Sequence, residues 1–298
     1  MAPVGPDRAA AAGAAGGDAM IPARPVDSWW LCAGAALVAL AALLAWVRVA
    51  APAGPPRPAR RAPVIALLDI GIAVLVIGIA MRWARIGHGP FLSMFEVLAS
   101  SLVSLGLGWR IAASRWPVLA DAAPMALSLL GVMAGWMLTV STADTHLPPT
   151  YQMSVMWFHI LLGKVFLACA LVAAGLAGVV LARTRERGRR WFARMPGDAV
   201  LDAIAWRFML AALVFESLML IAGAVWAQDA WGRYWAWDPL ETWAFITWLA
   251  LVAAVHARVT WRVAPRQGAL MIVGVFAVAF LTFFGVPFVT LAPHKGAV

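Results

Sequence analysis

The sequence contains few charged residues and few of the residue types that build soluble domains. Only 12% of its 298 residues are charged, against about 25% in soluble globular domains. The hydrophobic fraction is 63% and the mean hydropathy is +0.85. A chain with this balance has too little polar surface for a water-soluble fold, so the composition indicates an integral membrane protein.

Cysteine is also scarce, because Cys32 and Cys169 are the only two and both lie in apolar stretches. This count excludes a disulfide framework, a CxxC redox pair and a cysteine zinc site. The formal net charge of +9 is a feature shared with nucleic-acid-binding proteins. Those proteins cluster their charge on a soluble fold, so no nucleic-acid partner is expected here.

Eight apolar stretches are long enough to cross a bilayer, which takes about 20 helical residues each. They lie at 29–47, 64–83, 92–113, 118–140, 157–182, 206–227, 241–262 and 267–288. The sequence thus predicts an all-α integral membrane protein, a polytopic bundle of about eight transmembrane helices within residues 29–298. Residues 1–28 are rich in Ala, Gly and Pro and are predicted to form a disordered tail.

Arginine predicts the sidedness of the bundle, because cytoplasmic loops carry most of the positive charge. The segment after the fifth predicted span holds six arginines and a single acid, Glu186, and is therefore placed in the cytoplasm. Alternation then puts both termini on the outer face, together with the loops at 141–156 and 228–240. Arg82 and Arg85 are the exceptions, since they fall on the outer side.

Tryptophan is in excess, with 17 residues against two tyrosines. Six of them crowd the outer loop and the start of the next helix: Trp226, Trp231, Trp235, Trp237, Trp243 and Trp248. An interfacial aromatic belt explains isolated tryptophans such as Trp46, but a belt is spread around a bundle. The crowded rings are predicted to form one platform, with Asp238 as N-cap and Pro239 as first residue of the next helix. Such a surface suits a large planar ligand, either a quinone or a porphyrin.

The five histidines favour the porphyrin. His159 begins the fifth span on the outer side and His294 follows the last span on that side, so two imidazoles are available to ligate a haem iron. His256 lies about 22 Å from the outer end of its helix, at about 1.5 Å per residue. At that depth an imidazole is expected to face the interior, pair or bind a ligand. His88 and His146 are interpreted as loop histidines.

The segment 231–248, WGRYWAWDPLETWAFITW, resembles the tryptophan-rich WWD signature of haem-handling membrane proteins. Its part after the Asp-Pro pair, LETWAFITW, is similar to the CcsA/ResC branch of system II cytochrome c biogenesis. GAVWA at 223–227 resembles that family's approach to the motif, and GHGPFLSMFE at 87–96 resembles its GHxPxSNxYE segment. Residues 285–294 resemble its C-terminal histidine element. Two departures are Leu240, where the family usually has lysine, and residues 287–293, which lack the usual glycine-rich sequence.

The resemblance implies a site for haem b on the outer face. His159 and His294 match the family's two external iron ligands, and His256 matches its intramembrane histidine. The loop residues expected to contact haem are Trp231, Arg233, Tyr234, Trp235, Trp237 and Asp238. The resemblance also implies attachment of haem to the CxxCH thiols of apocytochrome c, with no catalytic residue supplied by this chain.

The family's cellular setting follows from the same resemblance. The chain is expected in the bacterial cytoplasmic membrane with its Trp-rich loop on the periplasmic side, as a subunit of a cytochrome c synthase. Its implied partners are a ResB/CcsB-like membrane protein, apocytochrome c and a thiol-reducing thioredoxin-like protein. Three alternatives remain: a CcmC-type haem transporter or chaperone, a b-type haem electron-transfer subunit, and a structural or regulatory membrane subunit.

Four lone ionisable residues in the predicted spans are expected to face the bundle interior or a wet cavity: Asp69, Glu96, Lys164 and Glu216. Lys164 lies about 7 Å inward from His159 along the same helix. It is a candidate contact for a haem propionate or a member of an intrabundle ion pair, for which Glu216 is one candidate partner.

Overall fold

The structure is a computed structural model that describes residues 25–51, 57–89, 91–148 and 151–289. All secondary structure within these ranges is helical, which confirms the predicted all-α class. In chain order the helices are α1 (Val26–Ala50), α2 (Arg57–Ile86), α3 (Met94–Arg115), α4 (Val118–Asp121), α5 (Ala123–Met137), α6 (Ser154–Ala182), α7 (Glu186–Trp191), α8 (Asp198–Trp231), α9 (Pro239–Thr260), α10 (Pro265–Phe280), a π-helical turn (Leu281–Gly285) and α11 (Val286–Val289).

Seven of the described helices are long and apolar enough to cross a membrane. They are α1, α2, α3, α6, α8, α9 and α10 with its π-helical turn, and they correspond to seven of the eight predicted spans. The polytopic architecture is therefore confirmed. α1 begins at Val26, so residues 26–28 belong to the first helix rather than to the predicted tail. Residues 1–24 of that tail lie outside the described residues.

The predicted span at 118–140 is wrong as one continuous helix. It is divided into α4, of 4 residues, and α5, of 15, with Ala122 between them. Pro124 lies in the first turn of α5, where a proline is tolerated because the N–H it lacks would have no partner. In the middle of a continuous helix the same proline would remove a backbone hydrogen bond. α5 measures about 22 Å at about 1.5 Å per residue, which is less than the ~30 Å hydrocarbon layer. Its apolar side chains are nevertheless buried in the core.

α6 is the central helix of the described bundle and packs against α3, α5, α8 and α10. Its sequence is apolar on all sides, as expected for a helix enclosed by others. α1 packs along α2 and α5 on one flank of the bundle. α8 runs along α6, and the beginning of α6 lies next to the end of α8. This pairing positions the candidate site.

The two arginines that contradicted the charge rule are held by carboxylates. Arg82 is completely buried and donates from Nε to Glu96 at 2.9 Å, while Arg85 donates to Asp27 at 2.8 Å and to Asp144. Arg82 also donates to the backbone oxygen of Ala143 at 2.7 Å. Their charge is compensated locally, so they carry little information about sidedness. The cluster connects α1, α2 and α3 to the loop at 138–153.

Glu96 is therefore not a lone acid within a span. It lies at the third position of α3 and forms a capping box with Ser93, whose side chain accepts from the Glu96 amide. The nearby His88 has Nε2 2.8 Å from the backbone oxygen of Thr145. These contacts give the segment 87–96 a structural role, because they attach the start of α3 to the loop that precedes α6.

The other three ionisable residues differ in their partners. Asp69 on α2 pairs with Arg110 on α3 at 3.0 Å. Lys164 and Glu216 do not pair with each other: the Lys164 Nζ contacts Ser100 and Ser101, and neither carboxylate oxygen of Glu216 has a hydrogen-bond partner among the described residues.

Candidate functional site

A cavity of about 520 Å³ opens at the end of the bundle where α8 meets α9. Its walls come from α3, α6, α8, α9 and the π-helical turn, and most of its lining side chains are apolar. This volume lies within the range of about 300–1,000 Å³ usual for small-molecule sites. The polar lining groups are few, as in sites that orient a largely apolar ligand. They are Ser93, Ser100, Ser101, Tyr151, His159, Lys164, Tyr234, Glu241 and Thr282.

His159 lines this cavity from the second turn of α6. Its Nδ1 lies 2.8 Å from the backbone oxygen of Met219 on α8. Because a carbonyl oxygen only accepts, Nδ1 is the donor in this contact and Nε2 carries the ring lone pair. Metal-binding histidines are commonly oriented in this way, with one nitrogen donating to a carbonyl. The ring also stacks on Trp226, with centroids 6.3 Å apart and planes at 17°.

Gly223 permits this close packing of the His159 ring on α8. A Cβ at residue 223 would lie 2.8 Å from Cε1 and 2.9 Å from Nδ1 of the imidazole. Any larger residue would displace the ring from the Met219 carbonyl. The resemblance singled out residues 223–227 as a sequence pattern, and the structure supplies a steric reason for the glycine.

The Trp-rich loop is shorter than predicted. The last residue of α8 is Trp231, and Gly232 caps the helix. The φ of Gly232 is 73°, the left-handed conformation that glycine adopts readily. α9 begins at Pro239, and Asp238 caps it by accepting from the amides of Leu240 and Glu241 at 2.8 and 3.0 Å. The connection is therefore 232–238 rather than 228–240, and the predicted cap is confirmed.

The predicted aromatic platform is divided among three environments. Trp231 packs edge-on against the buried Trp226, with centroids 4.9 Å apart. Trp235 and Tyr234 line the cavity, and the buried Nε1 of Trp235 has no hydrogen-bond partner among the described residues. Trp237 is 71% exposed, has a φ of 60° and does not line the cavity. Trp231, Arg233 and Asp238 do not line it either.

Glu241 closes the loop against the cavity wall. Its Oε2 accepts from the Ala236 amide at 2.7 Å, and its buried Oε1 has no hydrogen-bond partner in the described part of the chain. Leu240, at the position where lysine is usual, also lines the cavity. The loop end of the cavity therefore presents an acidic oxygen and an indole N–H rather than a cation.

Tyr151 is a lining residue that the sequence did not suggest. It precedes α6, packs edge-on against Trp226 at 5.3 Å and is nearly buried. Burial, together with the nearby charge of Asp238, raises the pKa of its phenol to about 12. No local pattern distinguishes this tyrosine, because only the return of the 138–153 loop brings it to the cavity.

The π-helical turn Leu281–Gly285 forms the remaining wall. Pro287 follows it, and a proline cannot donate the hydrogen bond that a regular helix needs at that position. The turn directs Thr282, Phe283 and Phe284 to the cavity, and Thr282 Oγ1 contacts the Thr247 hydroxyl of α9 at 2.8 Å. π-Turns inside α-helices are frequent at functional sites.

Of the other two predicted histidine ligands, His256 does not line the described cavity. His256 is exposed on the outside of α9, and its Nε2 lies 3.4 Å from the Thr260 hydroxyl of the next turn. His294 lies outside the described residues. The described residues contain no group of three His, Cys, Asp or Glu side chains able to hold a bare metal ion. A metal bound at His159 would therefore need further ligands, such as those a porphyrin supplies.

Comparison with known proteins identifies the family. Residues 91–294 match the model of the cytochrome C assembly protein family. The chain is similar to the cytochrome c biogenesis protein CcsA of Parasynechococcus marenigrum strain WH8102, with 28% identity over 80% of this chain and 87% of that protein. CcsA of Prochlorococcus marinus strain MIT 9312 is 26% identical over 78% of this chain and 84% of that protein.

Among solved structures, the fold is similar to that of the cytochrome c haem lyase CcmF, with a TM-score of 0.67 and 19% identity. The similarity covers 87% of this chain and 46% of CcmF, so the chain spans about half the length of that protein. The family match covers the cavity, the Trp-rich loop and the last five spanning helices. The chain therefore belongs to the cytochrome c assembly family, as a CcsA-type cytochrome c biogenesis protein.

Proposed function

We propose that the chain binds haem b as a substrate in the 520 Å³ cavity, with His159 as one axial ligand of the iron. The observation that carries this proposal is the Nδ1 contact of His159 with the Met219 carbonyl, because it keeps the lone pair on Nε2. The cavity suits the rest of the ligand, since apolar walls take the porphyrin face and a few polar groups take its edges. Trp235 and Tyr234 line the cavity and are the loop residues proposed to contact the haem.

His294 is proposed as the second axial ligand. It follows Pro287, which lines the cavity, by seven residues. A neutral imidazole from each side of the porphyrin plane would complete the iron coordination. Arg233, which is exposed in the loop, is proposed to donate charge-assisted hydrogen bonds to a carboxylate of a partner protein. Trp231, Trp237 and Asp238, which do not line the described cavity, are proposed as further contacts of the haem edge.

The reaction proposed for the complex is the attachment of the haem vinyl groups to the two CxxCH thiols of apocytochrome c. Each thiol adds across one vinyl group, so that a C–S bond forms and the thiol proton passes to the neighbouring carbon. This chain's contribution is positioning, because holding the vinyl edge near the loop converts an encounter into an effectively intramolecular step. No nucleophile from the chain is required. The thiols are kept reduced by a thioredoxin-like protein.

The proposed setting is the bacterial cytoplasmic membrane, with loop 232–238 on the periplasmic side. His256 supports a membrane partner, because an imidazole on the outside of a spanning helix is costly in lipid and is better satisfied against another protein. A ResB/CcsB-like subunit is the partner proposed for this face. With it the chain would form a cytochrome c synthase.

The proposal is tested by measuring haem content and the absorption spectrum of purified His159→Ala and His294→Ala variants. Both are expected to lose the bis-histidine spectrum and most of the haem. His146→Ala is the matched control, since His146 is an exposed loop residue that does not line the cavity, and it should retain both. Added imidazole should restore haem to His159→Ala if the fold is intact. Unchanged haem and spectrum in His159→Ala would refute the assignment.

A further inference from the structure

Lys164 differs from the paired cations in the spanning helices. Arg82, Arg110 and Arg258 each form an ion pair with a carboxylate on another helix. Lys164 Nζ instead lies 3.1 Å from both Ser100 Oγ and Ser101 Oγ of α3, and it takes part in none of the ion pairs of the described residues. An ammonium group within the bilayer is costly without a counter-charge. The described residues that surround Lys164 supply hydroxyls but not that charge.

Lys164 also lines the cavity, where it is the only lysine or arginine among the described lining residues. It lies five residues after His159 on α6, which places it about 7 Å deeper along the helix at about 1.5 Å per residue. The outer end of the cavity carries Glu241, Trp235 and Leu240 and no lysine or arginine. The two ends of the cavity thus carry opposite charges, a cation at the inner end and an acid at the outer end.

We propose that Lys164, held by Ser100 and Ser101, forms a carboxylate-binding subsite that fixes the direction in which the ligand enters the cavity. The ammonium has three N–H donors; two are directed to the serine hydroxyls, which leaves one for the ligand. A ligand with an apolar body and an anionic edge places that edge at Lys164 and gives the lysine its missing counter-charge.

The inference rests on the proposed function, which identifies the anionic edge as the haem propionates. The vinyl groups lie on the far side of the porphyrin from the propionates. With the propionates held at Lys164, the vinyl groups therefore point to the outer end of the cavity, where thiols arrive. Lys164 is then a specificity-determining residue that sets which edge of haem is presented.

Equilibrium binding of haem and of haem dimethyl ester to the full-length chain in detergent tests the subsite. The two ligands differ only at the propionates, which in the ester carry methyl groups and no charge. The wild-type chain is expected to bind haem roughly 10- to 100-fold more tightly than the ester, the size expected for hydrogen bonds to charged groups. Lys164→Met should bind both with the affinity of the wild-type chain for the ester. Lys164→Arg should keep a preference for haem.

Arg110→Met is the matched control, because Arg110 is also a cation in a span but does not line the cavity. It should keep the wild-type preference. Lys164→Met without ligand should be at least as heat-stable as wild type, since it removes an uncompensated charge. A haem preference retained by Lys164→Met, or absent from the wild type, overturns the subsite while the haem site stands. Failure of the wild-type chain to bind either porphyrin overturns the proposed function itself.

Discussion

Tyr151 shows how the surroundings of one side chain set its chemistry. Its phenol is shielded from water against Trp226, and Asp238 adds a nearby negative charge. Both effects disfavour the phenolate, because ionisation would place a charge in an apolar wall beside another anion. The phenol therefore remains protonated at every pH at which the protein is expected to work.

The pKa of Tyr151 can be measured directly because the chain has only two tyrosines. In a Tyr234→Phe variant, Tyr151 is the only phenol, and its titration can be followed by phenolate absorbance. The midpoint is expected at about 12, above the ordinary value of about 10. A midpoint near the ordinary value would show that Tyr151 is accessible to water and that the 138–153 loop does not close the cavity.

The same shift has a consequence for stability. The folded pKa lies above the unfolded pKa, so the stabilisation from the buried phenol is complete below about pH 10. It is lost as the pH rises toward about 12, because the unfolded chain releases its proton first. Tyr151→Phe should therefore show a smaller loss of thermal stability over this interval than the wild type.

At the scale of single residues, sequence predicted part of the site. His159 and Lys164 are recognisable because ionisable residues are rare in apolar helices. The Met219 carbonyl could not be predicted, since any residue has a carbonyl and only the packing of α8 on α6 selects this one. Sequence also could not predict that Lys164 and Glu216 do not pair. Their contacts depend on which faces of α6 and α8 meet.

Among the structural elements, the start of α9 determines the shape of the Trp-rich loop. Asp238 accepts from two backbone amides that would otherwise lack partners at the helix end. Glu241 then accepts from the Ala236 amide of the loop itself. The sequence Asp-Pro-Leu-Glu at 238–241 thus stabilises both the helix and the loop that precedes it.

Removal of the cap should destabilise this element by a predictable amount. Asp238→Ala is expected to lower the free energy of unfolding by about 1 kcal/mol, the usual cost of losing an N-cap side chain. Asp238→Asn is the matched control, because asparagine caps equally well and should be close to wild type. Thermal unfolding in detergent measures both. Equal destabilisation by the two variants would show that the charge of Asp238, and not its hydrogen bonds to Leu240 and Glu241, provides the stabilisation.

The backbone of Trp237 is strained by the short connection between α8 and α9. A φ of 60° is unfavourable for a bulky residue, and such conformations persist only where the surroundings enforce them. The short connection from Gly232 to Asp238 enforces it here, since α8 and α9 are fixed by their packing. Sequence indicated the turn through Gly232 and Pro239 but not the strained residue between them.

For the whole molecule, sidedness determines which compartment the cavity faces. The described loop residues at 87–89, 91–93, 138–148, 151–153 and 232–238 lie at one end of the bundle, as the contacts of His88 with Thr145 and of Tyr151 with Trp226 show. The arginine-rich segment 183–194 follows the far end of α6. The cavity and the basic segment therefore lie at opposite ends of the bundle, and which end faces the cytoplasm stays a prediction.

The sidedness itself is a prediction that cysteine labelling can test. In a Cys32→Ser, Cys169→Ser background, a His146→Cys variant should react with a membrane-impermeant thiol reagent applied to spheroplasts. Arg189→Cys should react only after the membrane is permeabilised, because the basic segment is expected in the cytoplasm. The reverse pattern would place the cavity on the cytoplasmic side and exclude attachment of haem to periplasmic thiols by this site.

The sequence by itself determined the all-α membrane class, seven of the spans, the cap of α9 and the family pattern. These depend on local properties, namely the length of an apolar run or the chemistry of a few consecutive residues. Tertiary structure alone decided that the predicted span at 118–140 is divided into α4 and α5, that Arg82 is neutralised by Glu96, and that His256 faces outward. The physical reason is that charge compensation, cavity walls and the rotation of a helix about its axis depend on contacts between residues far apart in the chain.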